Sequence, residues 1–138
     1  MNEKCVMVID EKLPLGLIAN TASILAMSLG KIHPEFVGDD VIDGSQNIHH
    51  GIIEFPISIL KGNQSLIKEL REKLYQDELT SITTIDFSDL AQKCKTYDEY
   101  IDKMKDIPTH QLQYLGIALC GPQKKVNKLT GSLPLLRG

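Results

Sequence analysis

Cys5-Val6-Met7-Val8-Ile9 is apolar at every position. Successive side chains of a strand point to opposite faces, so such a run fits a strand that is covered on both sides. Pro14 and Gly16 break the run. From Leu15 to Leu29, Ile18, Ala22, Leu25 and Leu29 recur at helical spacing, while Ala19, Ala22 and Ala26 keep one face small enough to lie close on a sheet. Gly30 supplies a C-terminal stop. A doubly covered strand followed at once by such a helix directs the chain toward an α/β sheet.

The remaining elements extend that opening. Val41-Ile42-Asp43 and Ile48-His49-His50, joined through Gly44-Ser45-Gln46-Asn47, read as a small hairpin at about 41–50. Residues 52–60 read as the second main strand, with Pro56 placed most easily near an edge. Asn63 caps the next helix, whose buried stripe is Leu66, Leu70 and Leu74. Residues 81–87 are rich in β-branched side chains and strand-like. Ser88 or Asp89 opens a short helical turn, and Thr96 with Glu99 forms a capping box for a second short helix. Residues 112–120 form the last strand, which Gly121-Pro122 turns into a closing helix. The expected architecture is α/β: a single domain over residues 1–138, with a four-stranded mixed sheet and helices on both faces.

Composition sets the outer limits. An apolar fraction of 42% excludes a disordered chain. A chain of 138 residues can bury a core without a disulfide or metal staple. No stretch approaches the roughly 20 apolar residues of a membrane span, so no membrane partner is expected. The formal charge of −3 is unevenly spread. Residues 1–106 carry all the acidic side chains and a net −7, whereas Lys124, Lys125, Lys128 and Arg137 leave residues 107–138 at +4. That surplus is small for a nucleic-acid binder, yet enough to seat one or two phosphates.

Cys5, Cys94 and Cys120 form no CxxC and leave an odd count, so neither a zinc knuckle nor a disulfide framework is expected, and Cys5 and Cys120 read as core. The short apolar run at the N-terminus lacks the long stretch and small-residue cleavage site of a leader, which makes a reduced cytoplasm the default setting. His49-His50 lie near Asp39, Asp40 and Asp43, but adjacent strand residues face opposite ways, so no metal site is expected there. Cys94 lies between Lys93 and Lys95, whose charge would favour a thiolate, and a nucleophilic role would need His33 or His110 folded against it. The chain has no GxGxxG, GxxxxGK[ST] or GxSxG, and no cofactor is expected.

The segment from Leu115 to Pro122, followed by Val126-Asn127-Lys128-Leu129-Thr130-Gly131-Ser132-Leu133-Pro134-Leu135-Leu136, resembles the C-terminus of type II peptidyl-tRNA hydrolases. In that family a strand ending in Gly-Pro leads to a helix and a Thr-Gly tail. The whole chain is similar to an uncharacterised family related to those hydrolases, through Gly16 to Thr21, Thr96 to Tyr100, and Asn127 to Arg137. The resemblance implies a four-stranded mixed sheet between helical layers and a metal-independent hydrolase of the ester joining a peptide to the tRNA 3′ end. This chain departs from the pattern in its first helix. Pro14, Leu17 and Ile24 stand near the places of the family's lysines and histidine, and Asp86-Phe87-Ser88-Asp89 replaces its usual Asp-Ala-Gly-Arg-Thr. The lost lysines count against tRNA as a partner.

By this resemblance a site belongs where the turn before the first helix, the end of the third strand and the tail meet. Asp86 would act as base or orient a water, and Thr130 would hold the reacting carbonyl. Asn20, Thr21 and Lys128 would bind the ligand, and Tyr97 would wall the pocket. Each also has a structural use: Asn20 to hold a loop, Asp86 to cap a helix, and Thr130-Gly131 to turn the tail. The expected function is a small cytoplasmic domain that binds a small molecule or anion, with ester hydrolysis as its candidate reaction. The alternative is a non-catalytic interaction or structural domain that forms a homodimer.

Overall fold

The computed structural model describes residues 2–137. Strand β1 (Glu3–Asp10) is followed by helix α1 (Leu15–Ile32), a 3-10 turn at Pro34–Phe36, and a two-stranded hairpin of β2 (Val41–Ile42) and β3 (Ile48–His49). Next come β4 (Ile57–Gly62), α2 (Gln64–Leu74), β5 (Thr83–Ser88), and the short helices α3 (Asp89–Lys93) and α4 (Tyr97–Lys105). Strand β6 (Tyr114–Pro122) and helix α5 (Gln123–Thr130) complete the fold. The main sheet has the order β4-β1-β6-β5. β4 runs parallel to β1, and β6 runs antiparallel to both β1 and β5, so the sheet is mixed. The last strand is inserted into the middle.

Strand parity sorts the core into two layers. Val6, Val8, Ile117 and Leu119 face Ile67, Leu70 and Leu74 of α2 and Val126 of α5. Met7, Ile9 and Ala118 face Leu25 of α1 on the other side, joined by Leu115, the extra residue of β6 opposite Phe87 and Ser88, where the register shifts. Gly116 lets α1 come close: a Cβ there would stand 2.7 Å from Cγ2 of Thr21. Thr21 is fully buried at this contact, and its hydroxyl has no hydrogen-bond partner among the described residues.

Several caps match the sequence. Asn63 accepts from Leu66 N–H, Ser88 from Ala91 N–H and Thr96 from Glu99 N–H. The Glu99 carboxylate accepts from Lys95 N–H, one residue earlier than the reciprocal bond of a capping box requires. The second main strand starts at Ile57 rather than at residue 52, because Val37 and Ile53 pair in an isolated bridge at the base of the hairpin.

The sheet edges are treated differently. Residues Pro134–Leu136 lie along β4, where Lys61 N–H donates to Pro134 O and Leu136 N–H to Ile59 O, so the tail covers that edge. At the other edge, α3 and α4 wrap over β5. One expectation is corrected: Cys5 and Cys120 are not two separate core thiols but form a disulfide. They are direct cross-strand partners of β1 and β6, with Cα atoms 4.2 Å apart, the close spacing of a non-hydrogen-bonded pair.

Candidate functional site

Where α3 and α4 wrap β5, they leave a cleft of about 430 Å³. Ile85 and Phe87 of β5 belong to the layer facing α1, and Ile24 and Ser28 of α1 form one wall. Cys94, Tyr97 and Tyr100 form the opposite wall. The cleft exists because Ser88 starts α3 and the chain then stays extended through Cys94 until Thr96 starts α4. This break in the helix carries Cys94 and Tyr97 over the strand. The Tyr97 and Tyr100 rings meet edge to face with centroids 5.5 Å apart.

Asp86 also lines this cleft, but by parity its side chain belongs to the α2 side of the sheet. There Nε of Arg71 donates to Oδ2 of Asp86 at 2.8 Å, with both side chains largely shielded from water. The Arg71 guanidinium lies over the ring of Tyr75, 4.0 Å from its centroid. Tyr114 lies nearby, with its hydroxyl buried and without a partner among the described residues. Burial, reinforced by the Asp86 charge, pushes its phenol up to about 12. Burial and the same carboxylate also raise the Tyr100 phenol. Both hydroxyls therefore remain protonated donors at neutral pH. At the rim, the Lys95 N–H and then the Lys103 ammonium hold the Glu99 carboxyl below its ordinary value.

The expected six residues are not gathered in one place. Asp86 and Tyr97 share the cleft. Asn20 is exposed on α1, and Thr21 is buried beneath the same helix. Thr130 is 1% exposed on the opposite side of the sheet, where its hydroxyl donates to Val126 O at 2.9 Å. The expected meeting of the Thr-Gly turn with the first helix is therefore corrected. α5 packs with α2, while α1 lies across the sheet, and only the end of the tail, at Leu136, reaches the α1 layer. Lys128 opens onto a separate cavity between α5 and α2. Asp86 does not cap α3, because Ser88 does.

Three of the four histidines are also engaged. His33 Nε2 bonds Thr83 Oγ1 at 2.8 Å, and its ring stacks on Phe36. His49 lies 2.7 Å from Asp43 and His50 lies 3.3 Å from Asp40, so the two imidazoles go to different carboxylates. Cys94 is a free thiol in the cleft.

A second opening was missed by the sequence reading. β1 and β4 are parallel neighbours whose helices leave to opposite faces of the sheet, the topological switch point at which open α/β sheets form crevices. A crevice of about 700 Å³ lies there between Asp10–Leu13 and Asn63–Ser65. Among these residues only Leu13 is apolar. The β5-edge cleft, with apolar walls and a few convergent polar groups, is closer to the usual form of a small-molecule site. Asp86, Arg71, Tyr100 and Tyr114 come together only through strand order, so no sequence motif pointed to the cluster.

A family model described as a protein of unknown function, DUF2000, matches residues 3–137. A solved structure of a protein of unknown function from Agrobacterium tumefaciens strain C58 superimposes with a TM-score of 0.87 at 17% identity, covering 98% of each chain. At that identity the likeness establishes the fold. A search of curated proteins finds no match.

Proposed function

We propose that this chain, which belongs to the DUF2000 family, is a ligand-binding domain whose β5-edge cleft takes a small molecule with an apolar body and an anionic or carbonyl group. One observation carries the reading: Asp86 and Tyr97, on different elements, line a single cleft with Tyr100, Cys94 and the apolar wall of α1. Because Arg71 neutralises Asp86, Lys95 is the remaining charge in the lining, and the cleft favours an anion. Tyr97 and Tyr100 offer hydroxyl donors at its mouth. The test is a calorimetric screen of aromatic and aliphatic carboxylates against the wild type and a Tyr97→Ala/Lys95→Ala variant. Binding by the wild type that is lost in the variant supports the cleft; binding that survives the variant removes it.

The proposal extends to the fold and its chemistry. A type II peptidyl-tRNA hydrolase-like fold is supported by the mixed four-stranded sheet, the β–turn–α opening, and the Gly-Pro end of β6 that leads into α5. In the proposed ester hydrolysis, the Asp86 carboxylate would have to leave Arg71 and turn from the α2 side of the sheet to orient water in the cleft, and Thr130 would act only through the packing of α5. Release of peptide from peptidyl-tRNA, reduced in Asp86→Asn, supports this. No turnover at high enzyme concentration ends it. A tRNA partner predicts steep loss of binding with salt. The proposed setting is cytoplasmic; the Cys5–Cys120 disulfide counts against it, because thiols are kept reduced there, and the oxidation state of the pair in cells tests it.

The outer face of α1 favours a second reading, a non-catalytic domain paired with a second copy. Met27, opposite the buried stripe of Thr21, Leu25 and Leu29, is 79% exposed, and Leu15 and Ile32 are exposed at the two ends of the helix. The whole helix has a mean hydropathy of 1.4 with 17% of it buried. Val41, Ile42 and Ile48 are also exposed, on the hairpin. A dimer in sedimentation experiments that Met27→Glu dissociates supports this reading, and a monomer at all concentrations excludes it.

A further inference from the structure

We propose that the cavity between the end of α2 and the outer side of α5 is a second binding site, for phosphomonoesters that carry an apolar chain. Its volume is about 480 Å³. Lys73 of α2 and Lys125 and Lys128 of α5 line it, with Leu79 and Leu129 as its apolar surface and Glu78 as its one acidic residue. Both leucines pack against the core layer beneath, so the apolar floor is fixed in place. The three ammonium groups have no carboxylate partner among the described residues.

Lys125 is held at the wall, where its Nζ donates to Glu78 O at 2.9 Å and to Ser81 Oγ at 3.1 Å. Both acceptors are uncharged, so they orient the cation without cancelling its charge. Lysines brought around one cavity repel one another, and a bound anion removes that cost. The C-terminal surplus of basic residues in the sequence supplies two of the three charges, and α2 supplies the third. The leucine floor adds a requirement that inorganic phosphate cannot meet, because the ligand must also bury hydrocarbon. The site lies on the α2–α5 side of the sheet and does not depend on the β5-edge cleft.

The test uses the full chain and four probes: hexyl phosphate, inorganic phosphate, hexanol, and phosphatidylcholine vesicles with and without phosphatidic acid. Hexyl phosphate is expected to bind saturably in calorimetry, more tightly than inorganic phosphate, with affinity falling as salt rises. A Lys73→Ala/Lys128→Ala variant is expected to weaken binding by about tenfold or more, while its melting temperature stays within about a degree of wild type. Binding of phosphatidic acid vesicles alone assigns the site to a lipid headgroup, and binding of hexyl phosphate alone assigns it to a soluble ester. No saturable binding of either probe overturns the proposal. So does binding that survives the double lysine variant but is lost on changing Tyr97.

Discussion

Replacing Gly116 by alanine tests the close approach of α1 to the central strand. The new Cβ would stand 2.7 Å from Thr21 Cγ2, 3.3 Å from Ile9 Cγ1 and 3.3 Å from Leu25 Cδ1. Carbon atoms in contact prefer about 3.5–4.0 Å, so α1 must lift by roughly 1 Å or Thr21 must leave its rotamer. Overpacking of this kind costs about 1–3 kcal/mol. The alanine also restricts the unfolded chain, which returns about 0.4–1 kcal/mol. The net expectation is a loss of about 1–2 kcal/mol, a fall of roughly 4–8 °C in melting temperature at this chain length. The chain has no tryptophan, so urea unfolding followed by far-UV circular dichroism is the suitable assay. Thr21→Ser removes the clashing methyl group, and combined with Gly116→Ala it should recover about 1 kcal/mol beyond additivity. A Gly116→Ala cost below about 0.5 kcal/mol, or strict additivity in the double variant, refutes the reasoning.

Four other outcomes are expected. Thr21→Val replaces an unpartnered buried hydroxyl with a methyl group and should leave stability unchanged or raise it by about 1 kcal/mol in the same unfolding assay. The Cys5–Cys120 disulfide closes a loop of 115 residues, so reductant should lower stability by about 4–5 kcal/mol on the chain-entropy scale; three reactive thiols in the denatured, unreduced protein would contradict the bond. The Tyr114 phenol is raised in the folded state while its unfolded counterpart titrates near 10. Stability is therefore full below about pH 10 and falls between about 10 and 12, and ultraviolet titration should find one of the four tyrosines ionising last. Asp86→Asn leaves Arg71 without its counter-charge and should cost about 1–2 kcal/mol, read by thermal denaturation alongside any activity change.

Local structure was legible wherever a pattern repeats or a cap is written into a short segment. The apolar run at Cys5–Ile9, the helix from Leu15, the Asn63 and Thr96 caps, and the turn of Gly121-Pro122 into a helix all stand close to where the sequence placed them. The small hairpin within 41–50 was legible for the same reason, through its turn residues. Side-chain partners were not. The bond between Cys5 and Cys120 depends on the register of β1 against β6, which no local pattern encodes. Asp86 finds Arg71 because β5 and α2 share one side of the sheet, a consequence of strand order. Thr130 stood beside suggestive neighbours in the tail, yet the helix it ends buries it and takes its hydroxyl back to Val126.

The insertion of β6 between β1 and β5 bears on how the protein is made. On the ribosome, β1, β4 and β5 emerge in turn, but β1 and β5 have nothing to bridge them until residues beyond Tyr114 have left the exit tunnel. Until then the nascent chain exposes the two strand edges that β6 will fill, and it can hold little of its native sheet. Completion of the sheet is thereby deferred until β6 has emerged, and the unfinished polypeptide is a natural client for chaperones that shield apolar strands.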